Sequence, residues 1–331
     1  MTTRALARRC VLSRARGLRA AHSSASSNSA QLFGFVHELA DDPDALVARS
    51  KQTLERLHKE DDVVRLRLPT DSDAAAHPMV ASLSQTAVIE LHNPSARNAL
   101  SGRMMAQLAD IVATLEDPAV HGSLTALVLG GSGGWFCAGA DLRVAKQELG
   151  SREAGIAMGA LMVDTLTRLR RLPLVSIALV SGGAFGGGAE LATACDFRVM
   201  ANNAVIQFVQ AKMGVSPGWG GGARLHKVVG RQQALRLLCT AERLNATRAQ
   251  SIGLVDAVFD GEGSAAEACA EFVRPFDCVT PEVSHGAKRL ITNADDVSLD
   301  EVLEFEHRVF AALWGGPANL KALENALRKP K

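Results

Sequence analysis

The fold of this chain is decided by the stretch Ser181-Gly182-Gly183-Ala184-Phe185-Gly186-Gly187-Gly188-Ala189-Glu190-Leu191. It follows an apolar run at residues 174–180, typical of a buried strand in a parallel sheet, and precedes a helical pattern at residues 189–195. Consecutive glycines carry no Cβ, so a ligand can approach the backbone closely. Amides at a helix start lack intrahelical acceptors and carry partial positive charge. The stretch therefore predicts either a tightly packed turn or a turn that holds a phosphate or a carbonyl oxygen gaining negative charge.

A second loop of small residues follows another buried strand-like run, residues 124–129. It reads Gly130-Gly131-Ser132-Gly133-Gly134-Trp135-Phe136-Cys137-Ala138-Gly139-Ala140-Asp141-Leu142. The alternation of strand and helix patterns predicts an α/β fold with right-handed crossovers over a parallel sheet. Ligands of such sheets lie at the carboxyl ends of the strands. We therefore expect one backbone N–H from each loop to converge on a single oxygen atom.

The composition excludes several classes of function. The 36 basic and 35 acidic residues balance, which gives no sign of a surface for nucleic acid or membrane. Aromatic residues make up 4% of the chain and Tyr is absent, which argues against base stacking. No apolar run approaches the roughly 18 residues of a membrane span. The six cysteines are scattered without a Cys-x-x-Cys pair, which favours a reduced, metal-free protein.

The N-terminal segment has the composition of a targeting peptide. The first 37 residues contain six arginines and a serine-rich patch at residues 23–29, but no acidic residue. This pattern predicts a mitochondrial transit peptide over residues 1–30, with a plastid or cytosolic location as the alternative. Helical spacing predicts a helix at residues 44–60 in an extension over residues 31–61, and alternation predicts strands near residues 63–68, 80–84 and 87–91. A core over residues 62–260 and a helical region over residues 261–331 complete the predicted organisation.

Four motifs resemble the crotonase superfamily of enoyl-CoA hydratases and isomerases, in family order and spacing. They are Arg97-Asn98-Ala99-Leu100, residues 136–142, residues 182–196, and Gly214-Val215-Ser216-Pro217-Gly218-Trp219-Gly220-Gly221. The resemblance implies a ββα spiral core, an acyl-CoA thioester as substrate, no further cofactor, and homotrimers or hexamers built through the C-terminal helices. It also implies that the amides of Ala138 and Gly187 form an oxyanion hole. The coenzyme A groove would then be lined by Arg97, Ala99, Gly139, Ala140 and Asp141.

The acid–base residues of the motifs indicate which reaction the chain catalyses. Hydratases of this superfamily use two glutamates, which correspond to Glu190 and to position 210, where this chain has Gln210. Hydration needs a base for water and an acid for the α-carbon, so the loss of one carboxylate argues against ordinary hydration. Decarboxylation of a malonyl-type thioester needs only a stabilised enolate and a later proton, for which we expect Glu190 as donor. Trp219 is expected to pack below the acyl group.

A narrower resemblance agrees with this reaction. Residues 171–180, 193–198 and 216–221, with the tail Leu313-Trp314-Gly315-Gly316-Pro317-Ala318-Asn319-Leu320, are similar to the subfamily that decarboxylates ethylmalonyl-CoA and methylmalonyl-CoA in metabolite repair. Two alternatives stay open. One is an enoyl-CoA hydratase or isomerase that uses Glu190 alone. The other is a catalytically inactive member of the fold that binds RNA or serves as a scaffold.

Overall fold

The computed structural model describes residues 42–58, 61–74, 77–78, 80–141, 151–261 and 264–328. The predicted transit peptide and the first part of the predicted extension, residues 31–41, lie outside this range. The chain divides into residues 1–46 and residues 47–331, and the described part of the first unit begins helix α1 (Pro43–Leu54). Residues 47–57 belong to the second unit and pack on its core, where the Arg103 amide donates to the Leu57 carbonyl at 3.0 Å.

Within the described residues, the larger sheet has six strands in the order β1-β2-β3-β4-β6-β9. Strand β1 pairs antiparallel with β2, and all further pairs are parallel. This arrangement confirms the predicted parallel α/β core. The strands are β1 (Val63–Arg67), β2 (Thr86–His92), β3 (Ala126–Gly131), β4 (Val175–Val180), β6 (Phe197–Ala201) and β9 (Ala257–Phe259).

A smaller sheet gives the core its spiral form. It contains β5 (Gly183–Phe185), β7 (Val205–Gln207) and β8 (Leu244–Asn245), and single bridges extend it from Cys137 to Ala184 and from Leu100 to Ala140. The chain passes from β4 to β5 and into a helix, and from β6 to β7 and towards the next helix. Each turn of the chain thus contributes one strand to each sheet before a helix follows, which is the predicted ββα repeat.

The helices cover the two sheets. Between them lies an apolar core that includes Leu100, Met104, Leu129 and Phe136. Within the described residues the helices after α1 are α2 (Gly102–Leu115), α3 (Pro118–His121), α4 (Arg152–Arg171), α5 (Gly187–Ala192), α6 (Gly221–Thr240), α7 (Ala246–Ser251), α8 (Ala265–Asp277), α9 (Pro281–Ala294), α10 (Leu299–Leu313) and α11 (Pro317–Arg328). No helix in this part of the chain is long and apolar enough to cross a membrane.

The segment before β2 differs from the prediction. A strand was expected near residues 80–84, but Val80–Ser82 forms a 3₁₀ turn. The reason lies far away in the sequence: the carboxylate of Asp277, at the end of α8, accepts hydrogen bonds from the amides of Ser84 and Gln85 at 3.0 and 2.8 Å. These amides therefore bind a side chain instead of a neighbouring strand.

Candidate active site

Two segments meet at the junction of the sheets: the amide loop (residues 132–141) and the glycine turn (residues 186–188). Strand-like hydrogen bonds join them, because the Cys137 amide donates to the Gly183 carbonyl at 3.1 Å and the Cys137 carbonyl accepts from the Phe185 amide at 3.0 Å. The two loops that the sequence analysis expected to lie together are therefore adjacent in the fold. What matters for chemistry is which amides of the two segments stay unpaired.

The amide loop offers Ala140, and the prediction of Ala138 as a donor is wrong. The Ala138 N–H donates to the Arg97 carbonyl at 3.0 Å, so it is already used within the fold. Leu100 bonds to both neighbours of Ala140, donating to the Gly139 carbonyl at 2.7 Å and accepting from the Asp141 amide at 2.9 Å. In such a parallel bridge the N–H of the middle residue points away from the partner. The Ala140 amide has no hydrogen-bond partner among the described residues.

The glycine turn offers Gly187. Gly186 precedes α5 with φ 53° and ψ −115°, so Gly187 is the first helical residue and its N–H has no acceptor within the helix. A methyl group at Gly187 would lie 2.3 Å from the ring of Trp219, and one at Gly139 would lie 3.1 Å from the Gly187 nitrogen. Only glycines allow the two segments and the indole to approach this closely. Ala140 and Gly187 thus present two unpaired amides from adjoining segments.

The amide loop is held by Asn98, a residue the sequence analysis did not single out. Asn98 is fully buried, and its Nδ2 donates to the carbonyls of Ser132 and Trp135 at 2.8 and 2.7 Å. Its Oδ1 accepts from the Asn93 amide at 2.9 Å, and Asn93 in turn donates through Nδ2 to the carbonyl of Ala99, a predicted groove residue. Asn98 has a φ of 55°, a conformation that asparagine tolerates better than most residues. In the sequence, the asparagine at position 98 was the one sign of this left-handed backbone conformation.

Glu190 lies two residues after the glycine turn, and its buried carboxylate accepts four hydrogen bonds. Oε2 accepts from the amides of Trp219 and Gly221, both at 2.8 Å. Oε1 accepts from the Gly218 amide at 3.3 Å and from Nε2 of Gln210 at 2.9 Å. Both oxygens are therefore occupied by N–H donors. This geometry leaves Glu190 no free lone pair with which to bind water.

Arg224 lies beside this cluster and was also missed by the sequence analysis. Its Nη2 donates to the Trp219 carbonyl at 2.5 Å, so the backbone of Trp219 is fixed by Glu190 through its N–H and by Arg224 through its oxygen. Burial lowers the pKa of Arg224 to about 10, although the negative charge of Glu190 opposes the shift. Trp219, whose indole packs on Gly187, is thus bound through its backbone by the Glu190 carboxylate and the Arg224 guanidinium.

The Arg97 side chain lies at the outer edge of the amide loop. Its guanidinium stacks over the Trp135 ring, 4.7 Å from the ring centroid, while the residue as a whole is exposed. Its backbone carbonyl accepts a hydrogen bond from the Ala138 amide, so the backbone of Arg97 binds the amide loop while its side chain stacks on Trp135. A stacked, exposed guanidinium suits a phosphate ligand, because its remaining N–H donors stay in fixed positions.

The family to which the chain belongs follows from its match to known proteins. Residues 83–315 match the enoyl-CoA hydratase/isomerase family. The chain belongs to this family. Other family members include ethylmalonyl-CoA decarboxylases. The one from Danio rerio is 44% identical over 75% of this chain and 81% of its own length, and the one from Homo sapiens is 41% identical over 71% and 76%.

Solved structures of family members confirm the fold class. An enoyl-CoA hydratase from Mycobacterium smegmatis aligns with a TM-score of 0.70 and 26% identity, over 81% of this chain and 98% of its own. One from Bacillus anthracis aligns with a TM-score of 0.68 and 28% identity, over 75% and 95%. The crotonase fold predicted from four motifs, with its parallel core and C-terminal helices, is therefore the fold of this chain.

Two features near the site of this crotonase-family enzyme have no part in the arrangement described above. Burial raises the pKa of the Cys137 thiol to about 12, which keeps it neutral between the two segments. A cavity of about 240 Å³ opens near the ends of β2 and β3, with His77, Glu90 and Ser181 among its lining residues. None of the predicted site residues lines that cavity. Across the described ranges, no group of His, Cys, Asp and Glu side chains has the arrangement of a metal site.

Proposed function

We propose that this enzyme decarboxylates ethylmalonyl-CoA and related thioesters such as methylmalonyl-CoA, as a step of metabolite repair. At the coarser level, the chain is a carboxy-lyase of the crotonase superfamily that acts on coenzyme A thioesters. The named acyl groups rest on the relatives that carry the name ethylmalonyl-CoA decarboxylase, at 41–44% identity for the fish and mammalian proteins from Danio rerio, Mus musculus and Homo sapiens.

The observation that carries the proposal is the hydrogen-bonded pair of Glu190 and Gln210. Water addition to a double bond needs a free base and a free acid near the substrate. Gln210 replaces one carboxylate by a neutral amide, and four N–H donors occupy the other. The site therefore supports a reaction that needs enolate stabilisation without a carboxylate base.

Decarboxylation meets this condition. In the proposed mechanism the thioester oxygen lies between the Ala140 and Gly187 amides. The bond from Cα to the carboxylate carbon breaks, CO₂ leaves, and the electron pair passes into the thioester as an enolate. Negative charge then develops on the oxygen that the two amides contact, and each such donor contributes about 2.7–4 kcal/mol to the transition state. No metal or organic cofactor is required, because the thioester carbonyl itself accepts the electron pair.

Arg97 is proposed to bind a phosphate of the coenzyme A moiety, next to a groove formed by residues 138–141. No ion-pair partner of its side chain lies within the described residues, and its stacking on Trp135 orients the guanidinium. Arg97→Ala is expected to raise KM about tenfold with little change in kcat, since the phosphate contact is the same in ground and transition states. Arg231→Ala, which removes another exposed arginine, is the matched control and is expected to leave KM unchanged.

The test of the proposed reaction compares two substrates on purified protein. We expect CO₂ release from ethylmalonyl-CoA, with butyryl-CoA as the other product, and no water addition to crotonyl-CoA. A hydratase that uses Glu190 alone would give the opposite result, and an isomerase that uses Glu190 alone would release no CO₂. The saturated hydrogen bonding of Glu190 argues against that alternative. An inactive RNA-binding or scaffold protein would show neither reaction.

Location and assembly are proposals as well. The arginine-rich, acid-free start of the chain supports import into mitochondria. The last helices carry exposed apolar side chains, which support a homotrimer or hexamer built through them, because such patches mark protein interfaces. The exposed side chains on or beside α10 and α11 are Leu299, Leu303, Phe310, Trp314, Leu320, Leu323 and Leu327. Light scattering on the purified protein tests the assembly, and a monomer at micromolar concentration would contradict it.

A further inference from the structure

The carboxamide of Gln210 uses only one of its two ends within the fold. Its Nε2 donates to Oε1 of Glu190 at 2.9 Å, which fixes the orientation of the amide because a carboxylate oxygen can only accept. The other end, Oε1, is buried and has no hydrogen-bond partner among the described residues, in a residue that is 7% exposed. A buried carbonyl oxygen without a donor is unfavourable, because it has lost its hydrogen bonds to water without gaining one in the protein. This oxygen can therefore accept a hydrogen bond from a donor that does not belong to the described residues.

The position of Gln210 places that oxygen near the reacting centre. The preceding strand lies along the glycine turn, where the Gly186 amide donates to the Gln207 carbonyl at 2.9 Å. Cγ2 of Val209 would lie 3.1 Å from a methyl group on Gly186. Glu190, the partner of Gln210, is bound to Gly186 through the first helical hydrogen bond of α5, at 3.1 Å. These contacts connect Gln210 to the glycine turn through Val209, which precedes it, and through Glu190, to which its side chain is bound.

The proposed reaction leaves one requirement that the described carboxylates do not meet. After CO₂ departs, Cα of the enolate must receive a proton, and both carboxylate oxygens of Glu190 are already bound to N–H donors. Gln210 has no acidic proton to give at neutral pH. Its Oε1 can instead accept a hydrogen bond from a water molecule, and a buried water is stable where polar groups of the site supply such partners.

We propose that Gln210 holds, through Oε1, the water molecule that protonates the enolate on one face. The inference rests on the proposed function. One O–H bond of the water breaks, its proton forms the new C–H bond at Cα, and the enolate electron pair becomes that bond. The hydroxide left behind takes a proton from bulk solvent, so that substrate and one proton give acyl-CoA and CO₂. Gln210 acts here as a positioning residue, since the water and not the amide contacts the reacting carbon.

The test is the stereochemistry of deuterium incorporation in D₂O. Wild-type enzyme is expected to convert ethylmalonyl-CoA into a single enantiomer of 2-deuterated butyryl-CoA. Gln210→Met has nearly the same length but no acceptor, so we expect CO₂ release to continue while the product becomes a mixture of both enantiomers. Gln207→Met is the matched control, since its buried side chain donates to the Ala241 carbonyl at 2.7 Å instead, and it is expected to keep a single enantiomer.

A second variant covers the case in which Gln210→Met does not fold. Gln210→Leu also removes the acceptor oxygen, so we again expect CO₂ release with a mixture of both enantiomers. Single-enantiomer product from Gln210→Met or from Gln210→Leu would overturn this inference alone. A mixture from the wild type would do the same, whereas absence of CO₂ release from the wild type would overturn the proposed function as well.

Discussion

The amide loop and the glycine turn each contribute one unpaired N–H, yet they do so by different means. In the glycine turn the free amide follows from local geometry, because the first residue of any helix lacks an intrahelical acceptor. In the amide loop the free amide follows from pairing with residues about forty positions earlier in the chain: Arg97 occupies Ala138, and Leu100 bonds on either side of Ala140.

The side chains that bind the residues in and around the two segments also differ. The side chain of Asn98 holds the amide loop through two hydrogen bonds and accepts a third from Asn93, whereas the carboxylate of Glu190 accepts four hydrogen bonds from residues around the glycine turn. Hydrogen bonds to a charged group are worth more than neutral ones, about 1.5–3 against 0.5–1.5 kcal/mol. We therefore expect the glycine turn to be the more rigid half of the site and the more sensitive to substitution.

The largest effect is expected from Gly187→Ala. The added methyl group would lie 2.3 Å from the Trp219 ring, so either the indole or the amide must move. We expect kcat for CO₂ release to fall about 10²–10³-fold, as for loss of one oxyanion donor. Gly155→Ala is the control, because the space around this helical glycine is open. Equal kcat values for the two variants would contradict the role of Gly187.

Glu190→Gln is expected to have the next largest effect. A carboxamide has one acceptor oxygen, so its NH₂ group must face two of the four N–H donors that now bind Glu190. We expect the free energy of unfolding to fall by about 1–3 kcal/mol and kcat by about 10–100-fold. Chemical denaturation and CO₂ release measure both. Loss of activity without loss of stability would point to Glu190 as the proton donor, as the sequence suggested.

A smaller effect is expected from Asn98→Ala, which removes the brace of the amide loop. Two carbonyls and one amide lose their partner, and alanine tolerates a φ of 55° less well than asparagine. We expect kcat to fall less than about tenfold, because Arg97 still binds the Ala138 amide and Leu100 still binds both neighbours of Ala140. The unfolding free energy is expected to fall by about 2–3 kcal/mol. A larger loss of kcat than in Glu190→Gln would reverse the proposed order of rigidity.

The smallest effect is expected from alkylation with iodoacetamide, directed at the Cys137 thiol between the amide loop and the glycine turn. Burial raises the pKa of Cys137 to about 12, so at pH 8 only about one thiol in 10⁴ is ionised. We expect iodoacetamide to leave both Cys137 and CO₂ release unchanged in the native protein while it modifies the exposed Cys239 and Cys278. Mass spectrometry of the digested protein locates the modified residues. Rapid alkylation of Cys137 would show that the two segments separate readily.

The same contrast explains what the sequence could predict. Apolar runs and the glycine-rich stretch depend on local patterns, and they predicted strands β3 and β4 and the turn that leads from a strand into helix α5. Whether the N–H of Ala138 or that of Ala140 stays unpaired depends on the register in which the amide loop pairs with residues 97–100. Local sequence patterns do not determine this register. The saturation of Glu190 likewise depends on amides about thirty residues away, at Gly218, Trp219 and Gly221. Hydrogen bonds between residues far apart in the sequence thus determine which amide of the loop stays unpaired and which donors bind Glu190.

The most direct test of this account replaces one backbone N–H at a time by an ester oxygen. Lactic acid in place of Ala140 removes only the free amide, and we predict a fall in kcat of about 10²–10³-fold with unchanged stability. Lactic acid in place of Ala138 removes the hydrogen bond to Arg97, and we predict a loss of about 1 kcal/mol in stability with kcat within a few-fold of wild type. A large fall in kcat at position 138 with little change at position 140 would contradict the assignment of Ala140 as the oxyanion donor.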